Sequence, residues 1–178
     1  MRDSSTEWLR LGVVIGTHGL RGELKLRGED PDFDLLLEQD EFFLQKKGAA
    51  PQACRIVRRS WSKNNLVVKL ADFERVEAVQ DLVGAAVLVD KGHLPALPDG
   101  EYYWYQLRGL HAIDSREGDL GTLDNLFSTA AHDIYVVNGR YGEVLIPAVA
   151  QFITEVDLAA GKILFDLPEG LVPEADDL

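Results

Sequence analysis

"GTHGLRGELKL", residues 16–26, decides the reading of the N-terminal half. It sets His18, Gly16, Gly19 and Gly22 between an apolar run, WLRLGVVIG (8–16), and an alternating one, GELKLRG (22–28). In the second run Leu24 and Leu26 share one side, and Glu23, Lys25 and Arg27 share the other, the period-two pattern of a half-buried strand. The glycines therefore join two strands. A P-loop would need Lys followed by Ser or Thr after its glycines, and a dinucleotide fingerprint would need a helix there to hold a pyrophosphate. Neither follows Gly22. A nucleophile elbow needs Ser between glycines, and none of the six serines has that context. The loop is read as a shaped turn, with Gly16, Gly19 and Gly22 supplying positive φ and close strand approach. His18 is read first as a turn residue, and second as a general base or contact group.

Outward from this loop, residues 41–47, 52–61, 65–71 and 85–91 have the length and β-branched content of further strands. Residues 73–84 differ: Val76, Val79, Leu82 and Val83 recur at helical intervals and Gly84 ends the run, which predicts a short helix with a glycine C-cap. HLPALPDG (93–100) has two prolines, a glycine and no periodicity, so it is read as a linker between domains at 1–92 and 101–178. Past it, short strands recur at 109–115, 119–128, 133–139, 142–149, 152–158 and 162–167 with Gly or Asp turns between them. That rhythm predicts a small antiparallel barrel or sandwich, making the chain all-β in two units. The tail EGLVPEADDL is expected to fray, with Leu171 and Val172 tucked against the second unit.

The 178 residues carry a net charge of -12, distributed very unevenly. Residues 1–98 hold 14 Lys and Arg against 15 Asp and Glu, whereas residues 99–178 hold 4 against 15. The second half therefore repels phosphate backbone at long range and suits a basic partner. The first keeps two local basic clusters: Arg21, Lys25 and Arg27, and Arg55, Arg58, Arg59 and Lys63. His18, His93, His111 and His132 are widely separated and Cys54 is the single cysteine, so no metal-ligand spacing exists and no metal or cofactor is expected. Cys54 precedes an apolar run and is read as a buried small hydrophobe. With no signal-like N-terminus and no apolar run near the roughly 18 residues a membrane span requires, a soluble cytoplasmic protein without membrane contact is expected.

Tyr102-Tyr103-Trp104-Tyr105 follows the linker directly. Successive side chains diverge by about 180° on a strand and about 100° on a helix, so the four cannot all face one core. They are read either as packing between the two domains or as anchors for a partner, with Tyr102, Tyr103 and Trp104 the candidate partner-binding residues.

Three stretches, GVVIGTHGLRGELKL (12–26), DGEYYWYQLRGL (99–110) and IPAVAQFITEVDLAAGKILFDLPEGL (146–171), together resemble the RimM family of ribosome maturation factors, in family order over nearly the whole chain. The resemblance implies a six-stranded, translation-factor-like N-terminal β-barrel and a C-terminal PRC-barrel. It implies a non-enzymatic assembly factor that binds the free small (30S) subunit and not the mature ribosome, contacts small-subunit ribosomal protein nineteen, and promotes head assembly and 16S rRNA maturation. The family's paired tyrosines, needed for subunit binding, match Tyr102 and Tyr103. Its His-Gly-x-x-Gly turn matches His18, Gly19 and Gly22, which with Arg21 become candidates for RNA or partner contact, and its Pro-Glu-Gly-Leu close matches Pro168, Glu169, Gly170 and Leu171. Two other classes stay open: a general RNA-binding barrel, disfavoured by a pI near 4.7, and an enzyme assembled from distant residues such as His18 and Asp133.

Overall fold

A computed structural model describes residues 6–29 and 31–173. The chain divides into two compact units, one ending at Ala96 and the other beginning at Leu97.

In the first unit, strands β1 (Trp8–His18), β2 (Glu23–Gly28), β3 (Glu41–Gln45), β4 (Gln52–Ser62), β5 (Asn65–Leu70) and β6 (Ala86–Asp90) close a barrel in the order β1-β2-β5-β4-β3-β6, every pair antiparallel. Closure removes free strand edges, and alternation fills the interior with Leu11, Leu24, Leu26, Phe42, Leu66 and Leu70, all fully buried. Each such side chain contributes about 1.5–3 kcal/mol relative to an exposed one. Cys54 is buried among them, as the sequence suggests, and desolvation pushes its thiol up to about 11.

The expected helix over 73–84 is shorter than predicted. Helix α1 spans Val76–Val79, a 3-10 turn continues over Gln80–Leu82, and Gly84 at φ +86° ends the run. Arg75 is extended at φ -130° and ψ 149°, because residues 73–75 lie against the 19–22 loop instead of joining the helix. A 3-10 segment, Pro31–Leu37, also forms and buries Phe33 and Leu36. Gly16 departs from its reading: its φ is not positive and a Cβ there would meet nothing within 4 Å. It sits at a register shift between β1 and β2. The close approach falls on Gly12, where a Cβ would lie 2.2 Å from the Arg27 carbonyl oxygen.

The second unit carries helix α2 (Trp104–Leu107) and strands β7 (His111–Asp114), β8 (Gly118–Ser128), β9 (Asp133–Gly139), β10 (Gly142–Pro147), β11 (Ile153–Asp157) and β12 (Lys162–Phe165). Their order is β10-β9-β8-β7-β12-β11. One pairing differs from the antiparallel expectation: β12 runs parallel to β7. The sheet wraps one core, since Val144 and Ile146 of β10 and Ile153 and Val156 of β11 pack in the same cluster as Leu120, Leu123 and Phe165. Leu171 and Val172 pack against it as expected, while the end of the tail predicted to fray, 174–178, lies outside the described residues.

Asp114 pins this unit's closing segment. It accepts from the backbone N–H of Arg116 at 2.9 Å, Glu117 at 3.0 Å and Leu167 at 2.8 Å. Burial opposes ionisation of its carboxyl, but these three donors outweigh burial and hold the group below the ordinary carboxylate range. Leu167 leads directly into the Pro168–Leu171 close.

Candidate functional site

The loop at 19–22 is held from three sides. Gly19 and Gly22 take φ of +61° and +70°, as the sequence predicts. The Leu20 carbonyl accepts from Val76 N–H at 3.2 Å. The Arg21 carbonyl accepts from Lys69 Nζ at 2.6 Å, and the same ammonium also donates to the Phe73 carbonyl. Gly22 fits only because it lacks a Cβ, which would lie 2.8 Å from the Phe73 oxygen and 2.9 Å from the Arg75 oxygen. The backbone is thus immobilised while its apex points outward. Leu20 is 82% exposed and Arg21 is exposed beside it.

His18, half-buried, stands opposite Glu23 in the β1–β2 ladder. Glu23 stands opposite Lys69, and Lys69 opposite Arg58, so one polar row crosses four strands of the barrel's outer face. Buried Glu23 accepts from Arg58, whose guanidinium is itself mostly exposed. Two members of the basic cluster read at 55–63, Arg58 and Arg59, are therefore engaged within the barrel. Arg58 is engaged by Glu23, Arg59 donates to the Gln39 carbonyl and lies 3.7 Å from Asp40, and Arg55 faces Glu41 across the ladder. Arg21, Lys25 and Arg27 do fall on the loop and the outer side of β2, with Arg21 and Arg27 exposed.

The aromatic run has a different geometry. Trp104 opens α2 and is only 4% exposed, packed in the core of the second unit. That placement takes it off the surface and corrects its reading as a partner-binding side chain: it supports the turn. Tyr102 leans on the same core with part of its ring exposed. Tyr103 and Tyr105 stack with centroids 5.8 Å apart and planes 13° from parallel. Gln106 Oε1 accepts from Tyr103 N–H at 2.9 Å, and the Tyr103 carbonyl accepts from Gln106 N–H at 3.0 Å. The short helix thus resolves the run, sending Trp104 inward and leaving Tyr102 and Tyr103 half-exposed.

Among the described residues no group of three or more His, Cys, Asp or Glu is placed to hold a metal, and no helix is long and apolar enough to cross a membrane. His18 belongs to the first unit and Asp133 to the second, where Asp133 accepts from Ser128 Oγ at 2.6 Å. Sequence reasoning passed over Leu20 and Lys69. Leu20 had a signal, an apolar residue between two turn glycines, whereas the strap from Lys69 joins residues 48 apart and had none.

A closed six-stranded barrel with a displayed loop, followed in the chain by an acidic curled sheet with half-exposed tyrosines, makes this an all-β protein of two compact units. Comparison with known proteins makes the class specific. Residues 9–94 match the RimM N-terminal domain and residues 104–171 match the RimM PRC barrel domain. The chain belongs to the RimM family of ribosome maturation factors. It is 53% identical over 169 residues to the ribosome maturation factor RimM of Syntrophotalea carbinolica, covering 95% of this chain and 97% of that one. It is 36% identical to that of Moorella thermoacetica, covering 93% and 98%. A solution structure of the N-terminal domain of RimM from Thermus thermophilus is similar at 26% identity and a TM-score of 0.42, covering 55% of this chain and all of that one.

Proposed function

We propose that this protein is a non-catalytic assembly factor that acts in the cytoplasm on the free small ribosomal subunit. Its acidic second unit engages small-subunit ribosomal protein nineteen in the head, and binding promotes head assembly and 16S rRNA maturation. The observation that carries this reading is the joint occurrence, in residues 99–178, of 15 acidic against 4 basic residues and of a half-exposed tyrosine pair on a fixed turn. An acidic surface attracts a basic ribosomal protein and shields it from premature contact with rRNA. Rigid aromatic side chains supply anchoring area at low entropic cost. In the first unit the displayed loop, with His18, Arg21 and the β2 cations, faces 16S rRNA. Its exposed positive groups suit phosphate contact, while the near-neutral balance of residues 1–98 fits a supporting contact better than an independent RNA-binding module.

The test compares Tyr103→Ala and the Tyr102→Ala/Tyr103→Ala double variant with the wild-type chain for binding to purified free small subunits, alongside thermal melts. Loss of an anchor costs about 2 kcal/mol of binding. Tyr103→Ala is expected to weaken binding by about thirtyfold with little change in melting. The double variant, losing the Tyr102 contact with the core, is expected to melt somewhat lower. Unchanged subunit binding in both variants would remove the tyrosines from the interface.

A further inference from the structure

The outer face of β8, β9 and β10 is apolar where period-two alternation calls for polar residues. Register places Phe127, Ile134 and Pro147 side by side in one row across the three strands, and Asn125, Val136 and Leu145 in the next. Phe127 and Leu145 are 42% and 46% exposed, whereas Val136, at the middle of the second row, is only 6% exposed and forms the floor of the patch. None of these side chains belongs to the core cluster of the unit, whose members alternate with them at Leu123, Tyr135, Val137, Val144 and Ile146. Phe127 and Leu145 stand outside that core, and a contiguous apolar strip on an outer face marks a contact surface.

The rim identifies the occupant. A third row, Thr122, Asn138 and Glu143, borders the strip, and the bulged residue Asp124 accepts from Asn138 Nδ2 at 3.2 Å, which sets its carboxylate on this side. At the opposite end Asp133 pairs with Ser128 and accepts from its Oγ at 2.6 Å, in phase with the inward-facing Tyr135 and Val137, so it is not part of this rim. The Asp124 and Glu143 carboxylates bordering an apolar strip repel phosphate, which disfavours RNA, and two copies meeting at this rim would oppose like charges. A lysine- or arginine-rich protein surface with an apolar side chain at its centre satisfies both parts.

We infer that the outer face of β8–β9–β10 is a second docking surface, separate from the tyrosine turn, for a basic ribosomal protein of the small subunit; this rests on the subunit-binding function proposed above. Apolar burial on Phe127 and Leu145 slows dissociation, and the carboxylate rim speeds association.

The experiment measures association and dissociation rates of the full chain on purified free small subunits. In Phe127→Gln/Leu145→Gln, which keeps the net charge, affinity is expected to fall by about tenfold or more, mainly through faster dissociation, at an unchanged melting point. Asp124→Asn/Glu143→Gln is expected to slow association and flatten its salt dependence. Should Phe127→Gln lower the melting point, Leu145→Gln alone serves, with at least a threefold loss expected. Wild-type affinity in the charge-conserving variants, while Tyr103→Ala still weakens binding, overturns this surface and leaves the function standing. Wild-type self-association in sedimentation that the variants abolish would assign the face to a second copy, and bare 16S rRNA binding that they abolish would assign it to RNA; either overturns the inference. No subunit binding by the wild-type chain removes the function and this surface together.

Discussion

Replacing Gly22 by alanine tests whether the displayed loop is held by the contacts described. A side chain in the left-handed region costs about 1–2 kcal/mol. A Cβ at 2.8 and 2.9 Å from two backbone oxygens forces residues 73–75 to withdraw, which weakens the Val76–Leu20 hydrogen bond and the Lys69 contacts, each worth about 1 kcal/mol. Alanine's smaller unfolded-state entropy offsets about 0.4–1 kcal/mol. The net loss is about 2–3 kcal/mol. For a unit of just under 100 residues, 1 kcal/mol shifts the melting point by about 4–8 °C, so a fall of about 10–20 °C is expected in the first unit's transition. Gly19→Ala has the same backbone strain, but its Cβ would lie 3.5 Å from Glu23 Oε2, an ordinary contact, and it should cost only about 0.5–1 kcal/mol. Gly22→Asn tolerates the backbone angle better yet keeps the crowding, so it should stay well below wild type. Calorimetry of the full chain, with hydrogen exchange in β2 assigning the transition, gives the readout. Equal losses at positions 19 and 22, or rescue by Gly22→Asn, would refute crowding against 73–75 as the main source of the loss.

Asp114→Asn leaves at least one of three backbone donors poorly met, and the second unit should lose about 2–3 kcal/mol at neutral pH. Because the folded carboxyl titrates below its unfolded value of about 3.9, its contribution is complete above that value and disappears as pH falls through the lower folded pKa. The gap between wild type and Asp114→Asn should therefore close on acidification, and a gap constant down to strongly acid pH contradicts the three-donor account. Cys54, buried with its thiol at about 11, should react with a thiol reagent at pH 8 only at the rate of unfolding, and promptly in denaturant. Association with small subunits should slow with added salt, since attraction between exposed charges is screened beyond about 8 Å at physiological ionic strength, while the tyrosine contact persists; a salt-independent on-rate contradicts an acidic docking surface.

The strands were legible because burial on one face writes itself into alternation: Leu24 and Leu26 against Lys25 and Arg27 place β2 within a residue of its observed bounds. Glycines at positive φ were legible at 19 and 22 from the turn between two strands. Gly16 was not, because glycines within a strand look alike in sequence and only the β1–β2 crossing shows that Gly12 is the crowded one. The parallel β7–β12 pair joins residues about fifty apart, beyond any local pattern. Trp104 was misread because a run of four aromatics has no period, and a single helical turn decided which ring goes inward. The second basic cluster shares strand β4, but sequence could not show that Glu23 and the Gln39 carbonyl, both distant along the chain, engage Arg58 and Arg59. The apolar strip on β8–β9–β10 needed the register of three strands before its side chains could be seen to adjoin.

In the function proposed above, the chain recognises the free small subunit through protein contacts in its acidic half. Co-sedimentation of the full chain at physiological salt with free small subunits, mature ribosomes and bare 16S rRNA tests it most directly. A stoichiometric complex with free small subunits is expected, and none with mature ribosomes or bare rRNA. Binding to bare 16S rRNA as tight as to the subunit, or no complex with the subunit at all, would contradict it.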